Sequence, residues 1–439
     1  MEKLTWGYKL TKAYFRFASD GIFYRRRYIE KADNIPPEGT PVLVAMNHQN
    51  TFHDILGVLF AKYDRKMHFI ARADAFDIHP LFRKFLFWAG VLPAYRMKYQ
   101  GEEALSNNYE TFRITEQNLL DGHTVLIFPE AGHQDKHWLG TFSLGYLRMA
   151  FEAAESAGFE KEIFILPAAN HYSNYRGLRE DTWLRFGTPI SLKPWYGRYK
   201  EKPRTCQREV NRLVREQIQS MMLDIRDLDH YKEIDFIRTG VFGEDFARTL
   251  GKNPELLPEK LEADKELVRR LAAGVPDYGA VEAYREALEE ARFEDRQVVN
   301  RTSWAKTALN VLLLLLTLPL ALFCLWPYLP NWFIPQFVND RFKEDDGMFL
   351  TTFQLAINTL VLIPLEFILT WIFTGLAAGW LIGLLHGLSL PFLCIIEFYY
   401  VKLLKKTVRD IRFRLADTAP LQELRQQAFN PLKNLINHE

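Results

Sequence analysis

Through the first 195 residues, short aliphatic runs recur at intervals: TPVLVAMN (40–47), MHFIAR (67–72), TVLIFPE (124–130) and EIFILPAAN (162–170). Runs this short, rich in Val, Ile and Leu and ending in polar or proline positions, predict buried β-strands. Between them, LFRKFLFWAG (81–90) and YETFRITEQNLLDG (109–122) carry apolar residues at helical spacing, and Gly122 stands where a helix C-cap belongs. Strand and helix in alternation imply an α/β layer with a mostly parallel sheet flanked by helices. Ligand sites in such sheets gather at the carboxyl ends of the strands.

From 196 to 303 the pattern turns to charge-dense helix, as in LPEKLEADKELVRRLAAG (257–274), with acid and base alternating on a solvated surface. Beyond 304 the chain is apolar over lengths that suit a bilayer. ALNVLLLLLTLPLALFCLWPYL (308–329) is followed by a stretch from 353 to 400 long enough for two spans. The basic cluster VKLLKKTVRDIRFR (401–414) places the tail, 403–439, in the cytoplasm by the positive-inside rule. Three full spans would separate that tail from the soluble N-terminal part. Pro319, Pro327, Pro330 and Pro335 interrupt the first stretch, so the expectation is a re-entrant or interfacial hairpin at about 307–335 within a membrane region of 304–402. Spans at about 350–372 and 376–400 then complete an integral protein of the cytoplasmic or an internal membrane, with its soluble parts on the cytosolic side. Residues 1–34 alternate aromatic and basic side chains, and YRRRY (24–28) reinforces the expectation of an amphipathic membrane-surface segment. Glu366 is an intramembrane carboxylate, costly unless paired.

Charge and cysteine count narrow the picture. A formal net charge of +1 argues against nucleic acid as a partner. Cys206, Cys324 and Cys394 lie too far apart for a disulfide framework or a metal spacing.

The chemistry-bearing stretch is NHQNTFHD (47–54), a polar turn just past an apolar strand. A carboxylate at Asp54 can bond one nitrogen of His48 and leave the other to take a proton, which is a base with its orienter. The same residues could satisfy a buried turn or hold a metal. GVLPAYRMKYQG (90–101) puts Arg96 past an apolar run, LIFPEAGHQ (126–134) puts Glu130 and Gly132 after a strand, and ILPAANHY (165–172) ends another. Four polar groups following strands could converge on one sheet edge. Arg72, in HFIARADAF (68–76), is either a second phosphate ligand or a surface charge.

NHQNTFHD, LPAYR, FPEAGH and ILPAANH, in this order and rough spacing, resemble the four blocks of the glycerolipid acyltransferases, the PlsC-like glycerol-3-phosphate and lysophosphatidate family. The resemblance covers about residues 35–195 and implies that fold, followed here by a helical region and C-terminal membrane helices. It implies transfer of a fatty acyl group from acyl-CoA or acyl-carrier protein, as co-substrate, to the hydroxyl of a glycerol-phosphate acceptor at a phospholipid membrane, with no cofactor and no metal. On it, His48 is the general base, Asp54 its orienter, and Asn47 and Asn50 shape the turn at the substrate. Arg96 binds the acceptor phosphate, with Arg72 as a further candidate, and Glu130 and Gly132 belong to the acceptor-binding third block. Two departures stand out. Five residues separate His48 from Asp54 where the family usually has four, which makes His53 a conceivable stand-in, and FPEAGH lacks the usual Gly directly after Glu. Two other classes stay open: a membrane lipid-binding scaffold that kept the fold without activity, and a metal-dependent phospholipid hydrolase.

Overall fold

A computed structural model describes residues 4–61, 66–77, 79–94, 97–130, 132, 136–274, 276–341 and 349–437. The chain forms two compact units, 1–223 and 224–439.

The first unit is built on eight strands: β1 (Arg26–Glu30), β2 (Val42–Met46), β3 (Met67–Arg72), β4 (Val91–Ala94), β5 (Thr124–Ile127), β6 (Phe164–Tyr172), β7 (Asp181–Phe186) and β8 (Ile190–Ser191). Their order is β1-β7-β6-β2-β5-β3-β4, with β8 beside β6. All pairs are parallel except β6 with β7 and with β8. Sequence VLVAM leaves β2 apolar on both faces, and it takes a central place where every residue is buried. Helices α1 (Trp6–Arg16), α2 (Thr51–Ala61), α3 (Pro80–Ala89), α4 (Met97–Leu120), α5 (Gly145–Ser156), α6 (Tyr196–Glu201) and α7 (Pro203–Met221) connect and cover the strands. Gly122 closes the turn after α4 at φ 78°, where a Cβ would lie 2.4 Å from the Gly39 carbonyl oxygen. That approach needs glycine.

Both edges of this unit differ from the expectation. Residues 1–34 are not one surface segment, because β1 inside them pairs with β7. The last three residues of YRRRY are strand, and two of its arginines have protein partners: Arg25 binds Asp181 at 2.8 Å, and Arg27 binds Asp20 at 2.7 Å and Ser19 at 2.9 Å, while Arg26 stays exposed. An arginine with a nearby carboxylate and hydroxyl can fold inward, which the run of like charges did not reveal. At the other end α7 packs on β6, so the unit extends to 223 instead of 195. Val210, Val214 and Ile218, four residues apart on one face of α7, are fully buried.

In the second unit α8 (Tyr231–Thr239), α9 (Val241–Thr249), α10 (Leu257–Gly274), α11 (Gly279–Ala291) and α12 (Asp295–Val299) form a polar-surfaced group. The apolar helices follow: α13 (Trp304–Asn339), α14 (Leu350–Ile357), α15 (Ile363–Ala378), joined to α14 through a π-helical turn, and α16 (Trp380–Leu415). Among the described residues three stretches, 304–339, 350–378 and 380–415, are long and apolar enough to cross a membrane. The tail is not loose, since α17 (Ala419–Asn437) returns to the polar group. Its Arg425 binds Asp295 at 2.7 Å, and its Phe429 packs on Phe242 and Tyr284.

The stretch expected to be a hairpin is one continuous helix, but it does not run straight. Along α16 its neighbours are first Asp410, bonded by Thr302 just before α13, then Tyr400 at Leu314, then His386 at Phe323. At Asn331 the neighbour is Cys394, one step back up α16, together with Glu366 of α15. A straight helix would have carried Asn331 roughly 12 Å further in the same direction. The helix therefore doubles back between 323 and 331, where Pro327 and Pro330 remove two backbone donors.

Candidate active site

β5, β2 and β6 are neighbours in the sheet, so whatever follows their carboxyl ends meets there. His48 follows β2, Glu130 follows β5, and Asn170 and Tyr172 close β6.

His48 Nδ1 lies 2.8 Å from Asp54 Oδ2. The extra residue between them is absorbed in the turn, where Thr51 takes a left-handed φ of 43°. For a β-branched residue this is a strained conformation, held by the surrounding contacts. It lets α2 begin early enough to bring Asp54 back under the loop, where the same Oδ2 accepts the backbone N–H groups of Gln49 at 3.0 Å and Asn50 at 2.9 Å. His53 is no stand-in: it points away, fully buried against the rings of Phe23 and Tyr24.

The other oxygen, Oδ1, accepts the Asn170 amide at 2.5 Å and the Tyr172 hydroxyl at 2.6 Å. Alternation along a strand puts residues 170 and 172 on one face, so both aim at one carboxylate. Burial, reinforced by the charge of Asp54, holds the Tyr172 phenol well above its ordinary value, so it donates. A buried carboxylate with five donors is fixed in place. It orients the imidazole with Nδ1–H toward the acid, which leaves Nε2 to accept a proton. The ring lies flat on Phe128, centroids 3.8 Å apart, and is 18% exposed, so the site is open at the imidazole alone of the pair.

Glu130 has a task that its place in the third block did not suggest. Its Oε1 accepts the backbone N–H of His48 at 2.9 Å and its Oε2 that of Gly140 at 2.7 Å. Burial raises its carboxyl above the usual range, and these two donors oppose the rise. Glu130 thus ties the β5 loop to the loop of the base. Glycine at 140 leaves room for this, since a Cβ would sit 2.7 Å from Oε2 and the Glu130 carboxylate would have to shift. Asn50 is also turned inward, 3% exposed, its amide reaching the Tyr175 carbonyl at 3.5 Å. Asn47 pairs with the backbone of Asn170 in both directions, at 2.9 and 3.2 Å. Gly132 has open space where a Cβ would stand. Arg96 lies outside the described residues, as does the side chain of Arg72, whose backbone ends β3 beside Ala94.

Sequence reasoning missed Asn170, Tyr172 and Gly140. Polar Asn and Tyr at alternate positions of an otherwise apolar strand were the available signal. Among the described residues no group of three or more His, Cys, Asp or Glu side chains converges as metal ligands would.

An imidazole beside a saturated acid, at the carboxyl ends of central parallel strands, is an arrangement that can activate a hydroxyl. A family model described as Acyltransferase matches residues 26–170. Glycerol-3-phosphate O-acyltransferase 2 of Saccharomyces cerevisiae is 28% identical over 124 residues, which is 28% of this chain and 17% of that protein. The crystal structure of the 1-acyl-sn-glycerophosphate acyltransferase PlsC from Thermotoga maritima shares 16% identity at a TM-score of 0.33, covering 48% of this chain and 78% of that one. Over residues 26–170 the chain is therefore similar to acyltransferases, and it spans less than a fifth of the length of the yeast relative.

Proposed function

We propose that the protein moves a fatty acyl group from an acyl thioester, acyl-CoA or acyl-carrier protein, to the hydroxyl of lysophosphatidate or glycerol-3-phosphate. The observation that carries this reading is the His48–Asp54 pair, 2.8 Å apart and closed on the acid side by four further donors. His48 Nε2 takes the acceptor's hydroxyl proton while the oxygen attacks the thioester carbonyl. The tetrahedral intermediate collapses with departure of the thiolate, which receives the proton from the imidazolium. Asp54 stabilises that cation throughout. Arg96 would clamp the acceptor phosphate, for which a guanidinium fork is suited.

The membrane side of the proposal rests on two features. α3 is apolar yet has no buried residue, and its Leu81, Phe87 and Trp88 stand exposed with Trp6 and Leu10 of α1, whose Tyr8 meets Trp88 at 5.6 Å. Aromatic rings rimmed by Lys9, Arg83 and Lys84 suit a headgroup layer. The doubled-back α13 leaves two crossings, so residues 224–303 and α17 lie on one side, the cytosol by the positive-inside rule.

The deciding experiment offers detergent-purified protein palmitoyl-CoA with either acceptor. Consumption of one of them by the parent, reduced about 10²- to 10⁴-fold in His48→Ala, is the expected result. Unchanged turnover in the variant would overturn the mechanism.

A further inference from the structure

Asp54 has more donors than an orienting acid needs, and two of them come from a strand that contributes nothing else to the pair. Asn170 and Tyr172 are 3% and 1% exposed. Asn170 cannot drift, because Asn47 at the end of β2 holds its backbone N–H and carbonyl together. The Tyr172 ring is in turn packed against Tyr24 and Tyr175. Their shared target is Oδ1, the oxygen that does not touch His48.

We propose that Asn170 and Tyr172 are positioning residues of the acyl-transfer site, which set the basicity of His48 through the negative charge that Asp54 presents to it. This rests on the reading of His48 as the base. Each donor on Oδ1 draws charge away from Oδ2. With both present less of that charge is left on Oδ2, and the proton taken from the acceptor can pass on to the leaving thiolate. With one removed, Oδ2 becomes a stronger partner for the imidazolium. The base then binds its proton more tightly and returns it less readily. The conformational part is separate: Oδ1 without donors leaves the carboxylate free to rotate about its χ2 and unseat Gln49 and Asn50.

Tyr172→Phe removes one hydroxyl and keeps the ring, so folding is preserved; Asn170→Ala is the second variant, read only where its thermal unfolding matches the parent's. Two quantities are measured on full-length protein in detergent. One is kcat and KM for the acceptor across pH. The other is the titration of the His48 ring by NMR of ¹⁵N-histidine-labelled protein, assigned with His48→Ala. Expected in Tyr172→Phe are a kcat about 10-fold lower at unchanged KM, the size of one charge-assisted hydrogen bond, and a His48 midpoint moved to higher pH. An unmoved midpoint overturns the proposal whatever the rate does, because a purely structural hydroxyl would lower the rate without moving it. An unchanged kcat at a moved midpoint overturns it as well. If the parent protein transfers no acyl group, the reading of the base fails, while the midpoint still reports whether Tyr172 governs it.

Discussion

Asp54 and Glu366 are carboxylates buried to similar depth, 1% and 6% exposed, in units of different solvent and purpose. Asp54 receives five donors from the turn of its own loop and from β6. Glu366 of α15 receives one group, the Asn331 amide, which spans both its oxygens at 3.0 and 2.8 Å. Beside it, Asn331 Oδ1 and Asn358 Oδ1 are buried acceptors with no hydrogen-bond partner among the described residues. In the sheet unit the carboxylate is held by donors on both oxygens, which fix its orientation toward His48. In the apolar unit it is a clasp, tying the returning arm of α13 to α15 at the point where the prolines have turned the chain. Burial alone therefore says little about what a carboxylate does; the count and kind of donors say more.

The same chemical change separates the two most sharply. Asp54→Asn turns one acceptor oxygen into an NH2 group that must face donors, so it disrupts either the Oδ1 or the Oδ2 set. Turnover is expected to fall by about 10³- to 10⁴-fold. Glu366→Gln gives an amide that can still accept from Asn331 and can donate to its orphaned Oδ1, so turnover and thermal stability should stay near the parent's. Equal losses in steady-state rate for both would break the comparison.

An imidazole in the sheet unit supplies the next test. His68 is held down to about 4, by burial first and then by neighbouring His123, whose Nδ1 is 3.1 Å away, and by Lys66. Its folded value lies below the unfolded one, so its stabilising contribution is complete above pH 6.5 and is lost as pH falls toward 4. The amount is of order 3 kcal/mol. Acid unfolding followed by circular dichroism should move to lower pH in His68→Gln, while the apolar helices give no such signal.

Asn331→Leu should destabilise the second unit by about 1–3 kcal/mol, the cost of a buried carboxylate deprived of its donor, with kcat unaltered. Thermal unfolding in detergent and the acyl-transfer rate read the two halves of that statement. The smallest effect expected is that of Gly140→Ala. A Cβ 2.7 Å from Glu130 Oε2 displaces that carboxylate and loosens one bond to the His48 loop. Because Asp54 still holds the loop, the loss in kcat should stay below about tenfold.

What the sequence determined by itself follows from local pattern. Strand-forming runs, helical spacing and apolar length gave the mostly parallel sheet, its flanking helices and the membrane-suited C-terminal stretches, because burial on one or both faces leaves a period in the residues. His48 and Asp54 were legible because the site is folded from one short segment. The prolines of α13 marked where a helix bends, though not that it stays helical through the bend. Tertiary structure decided what local pattern does not encode. It alone buried Arg27 on Asp20 and paired Arg25 with Asp181, gave α7 to the sheet unit, and made Glu130 a tie on the His48 loop. Asn170 and Tyr172 reach Asp54 only because β6 lies beside β2, a neighbourhood set by strand order across 116 and 118 residues of chain. Hydrogen bonds of that range depend on the register of the sheet, and a register is a property of two strands together.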